Sequence, residues 1–155
     1  MAMATDVVEF QIGGGYYAVD VRIAREIVEM MKITPIPRAP SYISGVINLR
    51  GEVTNIINIR EFIGIPEAEG ENGRKIIVLM PEATGGSCVG IIVDDVKSVM
   101  GISPDCVEEL GEGLSSDITC YVKGIIKIGG GDDEESTRLI IWIDMEKVIA
   151  DILNN

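Results

Sequence analysis

The sequence contains no histidine among its 155 residues, and this absence excludes several kinds of catalytic site. Without histidine there is no Ser-His-Asp or Cys-His catalysis, no phosphohistidine and no His-ligated zinc or haem. The phosphate-binding pattern Gly-x-x-x-x-Gly-Lys-Ser/Thr is also missing. From these absences we expect a protein that is not an enzyme and that uses no cofactor and no metal.

Basic residues are scarce, because 13 Lys and Arg stand against 25 Asp and Glu, which gives a net charge of −12. Phosphate binding needs clustered Lys and Arg, so nucleic acid is a poor partner. No apolar run approaches the roughly 20 residues that a membrane-spanning helix requires, so we expect no direct membrane insertion. The three cysteines are odd in number and match no close metal spacing, which favours reduced thiols in a cytoplasmic protein.

What the sequence does contain is an internal repetition. Three pairs of segments resemble each other in the same order along the chain: Met31–Pro35 and Met100–Pro104, Tyr42–Asn48 and Tyr121–Lys127, and Ile56–Ile59 and Ile140–Ile143. Chance matches between apolar runs are an alternative, but the shared order favours two copies of one β-rich unit. Each copy is too short to bury a good core alone, so we expect the copies to pack together, with a binding groove where they meet.

Short apolar segments separated by Gly and Pro predict a mainly β protein built from barrels or sandwiches. Gly13–Gly15 is expected to turn a hairpin. From Val21 to Met31 the apolar spacing becomes helical, which predicts a short helix capped by Asp20, although an extended later half stays open. An amphipathic helix capped by Asp144 is expected to end the chain.

Residues Gly45–Gly51 read Gly-Val-Ile-Asn-Leu-Arg-Gly, which resembles the signature Gly-Val-x-Asn-Leu-Arg-Gly of the CheW-like coupling proteins of chemotaxis. The segments Tyr17–Val21, Ile33–Pro37 and Val89–Val96 are similar to the same family, and the resemblance runs from about Val7 to Leu153. The motifs are specific and cover nearly the whole chain.

Two positions depart from the family pattern. Asn55 stands where the family usually has proline, and Asn58 stands where aspartate is common. Neither change touches the glycines of the signature, so we expect an unchanged fold with altered contacts at the strand edge.

The resemblance implies one CheW-like domain over residues 1–155, mainly β, with two small five-stranded β-barrel subdomains packed together, a short helix and a C-terminal helix. It assigns about residues 13–65 to the first barrel, about residues 7–12 with 74–143 to the second, and residues 144–153 to the helix. The implied function is a non-catalytic scaffold that couples chemoreceptors to the histidine kinase CheA. Its partners would be the regulatory domain of CheA and the cytoplasmic tip of a methyl-accepting chemoreceptor, and it would be cytoplasmic and recruited to membrane receptor arrays.

The resemblance also implies a receptor-binding groove between the barrels. The family positions fall on Val8, Val21, Ala24, Ile27 and Val96. The spacing of Val21, Ala24 and Ile27 by three residues would place them along one side of a helical turn. The alternative for each of the five is an ordinary core residue.

The signature turn is expected to contribute a second contact, through Gly45, Asn48, Arg50 and Gly51. The two glycines are interpreted as backbone-geometry residues, needed for close approach or positive φ. Arg50 could bind a partner's carboxylate bidentately, or it could brace the turn by donating to nearby carbonyls or to Glu52. Glu26 is a possible charged contact, against its reading as part of a solvated helix face.

Other readings stay open from the sequence. The same barrel pair occurs as the regulatory domain of CheA and as the first domain of CheV, but 155 residues leave room for neither a kinase core nor a receiver domain, so a free-standing adaptor is expected. A small carboxylate- or thiol-dependent enzyme on a β-barrel fold is the alternative from another class. Cys120, next to Tyr121 and Lys123, is its nearest candidate nucleophile, against a reading as a core thiol.

Overall fold

The structure is a computed structural model that describes residues 5–65, 74–109, 120–129 and 137–153. In these ranges the elements follow in the order β1 (Thr5–Ile12), β2 (Gly15–Asp20), β3 (Ala24–Glu29), β4 (Ile43–Leu49), β5 (Glu52–Ile57), α1 (Ile59–Ile63), β6 (Lys75–Leu79), β7 (Val89–Val93), β8 (Asp95–Ile102), β9 (Val107–Glu108), β10 (Val122–Ile128), β11 (Arg138–Ile143) and α2 (Met145–Leu153). The fold is mainly β with a C-terminal helix, as predicted, whereas the short helix α1 lies where none was expected.

The strands form two sheets. Sheet A has the order β8-β1-β2-β11-β10-β9, and sheet B has the order β3-β6-β7-β5-β4. No strand ladder among the described residues closes either sheet into a barrel, and sheet A has six strands, so two closed five-stranded barrels are not shown. In sheet B, the segment between β3 and β4 pairs with β4 through an isolated bridge between Thr34 and Val46.

The sheets do not follow the predicted division of the chain. The segment Gly15–Asp20, expected in the first unit, pairs with β1 and β11 of sheet A. The segments Lys75–Leu79 and Val89–Val93, expected in the second unit, belong to sheet B. The first two strands of each half therefore complete the sheet of the other half, and local sequence patterns carry no information about such exchange.

The internal duplication is confirmed by the strand order. Each sheet contains one parallel pair at the corresponding place, β5 with β7 and β11 with β2. The segments Tyr42–Asn48 and Tyr121–Lys127 enter the equivalent strands β4 and β10, and both strands have an irregular register at their second residue. The backbone oxygens of Tyr42 and Tyr121 accept 2.8 Å hydrogen bonds from the N–H of Asn58 and Asp144, which lead into α1 and α2.

The shared core lies between the two sheets. It contains Val8, Phe10 and Ile12 of β1, Ile77 and Leu79 of β6, and the buried side of α2. Alternate residues of the same strands face two smaller clusters, one in each sheet. The continuous apolar run of β6 is thereby explained, because the strand is covered on both faces.

The C-terminal helix agrees with its prediction. The N–H of Lys147 donates to Oδ1 of Asp144 at 3.2 Å, which is the expected capping bond. The apolar stripe Met145, Val148, Ile149 and Ile152 is buried in the shared core.

The prediction of a short helix after Asp20 is wrong beyond the first turn. Val21–Ile23 forms a single 3₁₀ turn, and β3 follows at once. Asp20 makes no capping bond there; its carboxylate accepts hydrogen bonds from Trp142 at 2.7 Å and Lys123 at 3.0 Å. Strand pairing with β6 satisfies the backbone of β3, so tertiary contacts override the helical spacing.

Candidate functional site

Edge strand β3 carries two of the predicted groove residues. Ala24 lies opposite Leu79 and Ile27 lies opposite Ile77, with a register shift between Ala24 and Glu26. Residues that lie directly opposite each other in an antiparallel pair share one face of the sheet. Ala24 and Ile27 therefore both lie on the face of sheet B that is turned to the shared core. Their common side was predicted, but a β-bulge produces it and a helix does not.

Edge strand β8 repeats this arrangement in sheet A. Val96 lies opposite Phe10 and Val99 lies opposite Val8, again with a register shift between them. Val96 and Val99 are thus the structural counterparts of Ala24 and Ile27. Val99 was missed in the sequence, although the same spacing of three residues in two related strands was a signal that could have found it.

The accessibility of these residues shows where the shared core is open. Val8 is buried, and Val21, Ala24 and Val96 are half-buried against the core. Ile27 is 43% exposed and Val99 is 61% exposed, although both lie on faces turned to the core. We call Val21, Ala24, Ile27, Val96 and Val99 the open edge of the shared core. Val8 is a core residue beneath it, which corrects its predicted place in a groove lining.

The signature turn is a two-residue hairpin loop. Leu49 pairs with Glu52, which leaves Arg50 and Gly51 as the loop with φ of 51° and 88°. Positive φ at both positions is the mark of a type I′ turn. The side chain of Asn48 stabilises the loop, since its Oδ1 accepts a 2.9 Å hydrogen bond from the N–H of Gly51. Arg50 holds a left-handed conformation that costs a non-glycine residue about 1–2 kcal/mol.

Arg50 is positioned by a carboxylate that the sequence did not connect to it. Its two terminal nitrogens donate to the two oxygens of Glu26 in β3 at 2.7 and 2.6 Å. This forked hydrogen bond lowers the pKa of Glu26 and raises the pKa of Arg50. Glu52, suggested as the brace, lies 3.7 Å from Arg25. The turn and β3 therefore present one exposed, geometrically defined charge pair.

Gly45 is required for close approach. Its φ is 144°, and a Cβ placed on it would lie 2.2 Å from the backbone oxygen of Thr34. Gly51 differs, because its φ is positive but a Cβ there would meet nothing within 4 Å. The predicted backbone roles of the two glycines thus separate into close approach and positive φ.

The two departures from the family pattern have defined places. The N–H of Asn55 donates to the backbone oxygen of Cys88 at 2.9 Å, a bond that proline could not make. Asn58 precedes α1 and makes no side-chain capping bond. Both lie away from the open edge, on β5 and after it.

The residues proposed for thiol chemistry are engaged elsewhere. Lys123 lies 3.0 Å from Asp20 and over the ring of Trp142. Tyr121 donates to Asp151 at 2.7 Å, and this bond raises the pKa of Tyr121 to about 12. In the described ranges no group of three or more Cys, Asp or Glu is arranged to hold a metal ion.

Two cavities lie outside the open edge. One of about 460 Å³ is lined by aromatic and aliphatic side chains, including Phe62, Tyr121 and Ile141. The other, of about 270 Å³, lies beside Lys123 and Trp142. Neither is lined by a predicted groove residue. Within the part of the chain that the structure describes, no helix is both long enough and apolar enough to span a bilayer.

Comparison with known proteins gives consistent matches along the whole described fold. Residues 6–153 match the sequence profile of the CheW-like domain. Chemotaxis protein CheW of Bacillus subtilis is 32% identical over 143 residues, covering 92% of this chain and 85% of that protein. Chemotaxis protein CheW of Treponema pallidum is 30% identical over 148 residues, covering 93% and 81%. The crystal structure of scaffolding protein TtCheW from Thermoanaerobacter tengcongensis superposes with a TM-score of 0.75 at 29% identity, covering 94% of this chain and 87% of that one.

Proposed function

This chain belongs to the CheW-like domain family, and from that membership we propose that it is a non-catalytic scaffold of chemotaxis signal transduction, coupling chemoreceptors to a histidine kinase. Relatives that match along nearly the whole chain are named chemotaxis proteins, and the matching solved structure is named a scaffolding protein. A scaffold acts through surfaces, so the proposal depends on which surfaces of the fold are available to partners.

The observation that carries the proposal is the exposure of Ile27 and Val99 on faces turned to the core. Apolar side chains on such faces are normally covered by the other layer of the fold. Here Ile27 lies on edge strand β3, which also carries the small side chain of Ala24, and Val99 lies on edge strand β8. A receptor's helical hairpin tip would cover both and bury their apolar surface, which is the main source of association energy at such a site.

The kinase would bind elsewhere, at the ends of the sheets. Val53 and Leu139 are exposed and hold equivalent places, opposite Asn48 in the first hairpin and Lys127 in the second. A partner with the same fold, such as the regulatory domain of CheA, would present equivalent ends. Contacts of this kind leave the open edge free, so kinase and receptor would bind at the same time.

The charge pair Arg50–Glu26 links the two proposed surfaces. Glu26 belongs to β3, which carries part of the open edge, and Arg50 belongs to the first hairpin. We propose that it fixes the edge strand relative to the hairpin and offers its exposed guanidinium to a partner's carboxylate. The protein would thereby be recruited from the cytoplasm to membrane receptor arrays through receptor contact, with no lipid contact of its own.

The test compares two substitutions at side chains of equal exposure. Ile27 of the open edge and Leu153 at the end of α2 are both 43% exposed. Ile27→Asp should weaken binding of a receptor-tip fragment by about tenfold or more, as expected of a central apolar contact. Leu153→Asp is the matched control and should leave that affinity unchanged. Both variants should keep their thermal midpoint, because surface substitutions change stability by about 0.5 kcal/mol or less.

A third variant separates the two partners. Leu139→Asp should weaken binding of the kinase regulatory domain and spare the receptor fragment, whereas Ile27→Asp should do the reverse. Equal loss of receptor affinity in Ile27→Asp and Leu153→Asp would contradict the assignment of the open edge. Failure of the unmodified protein to bind either partner would contradict the proposed function.

A further inference from the structure

The described strands connect the two sheets at only two places along the chain. One crossover is the 3₁₀ turn Val21–Ile23, between β2 and β3, and the other is Asp94, between β7 and β8. Each crossover leads directly into an edge strand that carries the open edge. The position of the two edge strands relative to each other therefore depends on how firmly these two crossovers are held.

Asp94 is held by contacts from both halves of the fold. Its carboxylate accepts a 2.8 Å hydrogen bond from the N–H of Gly13, in the turn between β1 and β2 of sheet A. Both of its oxygens lie 3.1 Å from Nη2 of Arg60, in helix α1, which follows β5 of sheet B. Its own N–H donates to the backbone oxygen of Gln11 at 2.9 Å, and Nε of Arg74 lies 3.8 Å away.

The other crossover has an equivalent ion pair with the charges reversed. Arg22, in the 3₁₀ turn, donates to Glu146 at 2.9 Å and lies 3.4 Å from Asp20. Glu146 is the second residue of α2, as Arg60 is the second residue of α1. The surroundings differ, since the Arg60 and Asp94 side chains are 6% and 26% exposed whereas those of Arg22 and Glu146 are 67% and 43% exposed.

Burial decides how much each pair contributes. An exposed ion pair is screened by water and contributes little, whereas removal of one partner from a buried pair leaves an uncompensated charge. We propose that Arg60 and Asp94 are positioning residues that lock the β8 side of the open edge, whereas the exposed pair Arg22–Glu146 supplies no such lock on the β3 side. This inference rests on the proposed function for its consequence, but the lock itself is a property of the free protein.

The experiment uses the full chain with two charge-matched substitutions, each of which replaces a carboxylate by its amide. Asp94→Asn removes the charge from the buried pair, and Glu146→Gln removes it from the exposed pair. Amide hydrogen exchange is measured in the free protein for the segments 95–102 and 24–29. Affinities are measured for a receptor-tip fragment and for the kinase regulatory domain.

Asp94→Asn should accelerate exchange in residues 95–102 by about tenfold and weaken the receptor fragment by a similar factor, as expected for loss of a buried hydrogen bond to a charged group. Kinase-domain affinity should stay within about twofold, because that contact does not need the edge strands. Glu146→Gln should change none of these quantities. If Asp94→Asn lowered the thermal midpoint but left local exchange and receptor affinity unchanged, the pair would stabilise the fold only in general, and the inference would be overturned. Equal effects in Asp94→Asn and Glu146→Gln would also overturn it.

A second variant covers the case in which Asp94→Asn fails to fold. Arg60→Lys keeps the charge but loses the planar donor geometry, so it should give a smaller acceleration in the same segment. Unchanged exchange there in a folded Arg60→Lys would also overturn the inference. If the unmodified protein binds no receptor fragment, the proposed function fails, whereas the exchange measurement still decides whether the lock exists.

Discussion

Gly45→Ala is the substitution for which the structure gives the most definite expectation. A Cβ on Gly45 would lie 2.2 Å from the oxygen of Thr34 and 2.8 Å from the side chain of Ile33. The first contact is with backbone, which cannot rotate away as a flexible side chain would. The segment around Thr34 must move, and with it the bridge that joins this segment to Val46.

The magnitude follows from the groups that are disturbed. Holding alanine at a φ that only glycine favours costs about 1–3 kcal/mol. The bridge consists of two hydrogen bonds, Thr34 N–H to Val46 at 2.8 Å and Val46 N–H to Thr34 at 2.9 Å. Their loss adds about 1–3 kcal/mol in net terms. We therefore expect the free energy of unfolding to fall by about 4 kcal/mol, which lowers the midpoint of a chain this long by roughly 8–16 °C.

Thermal and urea unfolding of three proteins provide the assay. Gly51→Ala is the matched control, since its φ of 88° is also positive but a Cβ there meets open space. It should lose only about 1–2 kcal/mol, the cost of a left-handed alanine. If Gly45→Ala lost no more stability than Gly51→Ala, the close contact with Thr34 would not be a determinant of the fold, and the reasoning would be refuted.

Two further expectations concern the open edge and its charge pair. Ala24→Trp should abolish receptor-fragment binding while kinase-domain binding persists. Because Ala24 is half-buried opposite Leu79, overpacking should also lower the free energy of unfolding by about 1–3 kcal/mol, as measured by thermal unfolding. Unchanged receptor affinity would remove Ala24 from the site. Glu26→Gln should be less stable than the unmodified protein near neutral pH. Because Arg50 lowers the pKa of Glu26 below its ordinary 4.5, that difference should be complete above this value and should disappear as the pH falls through the lowered pKa, as measured by urea unfolding; a difference independent of pH would contradict the pairing.

The parts of the fold that the sequence predicted are those with local causes. Asp144 caps α2 and the apolar stripe of that helix recurs at helical spacing, so both signals lie within ten residues. The turn at Arg50 and Gly51 is equally local, because positive φ and the Asn48 side chain act within four residues. The duplication was visible because equivalent positions had kept similar residues in the same order.

The register of that duplication was less accurate. The matching of Ile56–Ile59 with Ile140–Ile143 is two residues out, since Ile57 and Ile143 are the residues that pair with Ile43 and Val122. Runs of Ile are nearly self-similar under a small shift. Only the ladder of hydrogen bonds decides which residues of the two halves are equivalent. It is this ladder that makes Ile27 and Val99 equivalent.

Tertiary structure alone decided the remaining features, because each depends on residues far apart in the chain. The segment from Ala24 onward has helical apolar spacing but forms a strand, because its backbone pairs with β6. Arg50 pairs with Glu26, 24 residues away in the sequence, and Arg60 pairs with Asp94, 34 residues away. A residue pattern specifies what a segment does with its own neighbours, whereas the pairing of edge strands, the exchange between halves and the burial of one ion pair and not its counterpart arise only when the two sheets pack against each other.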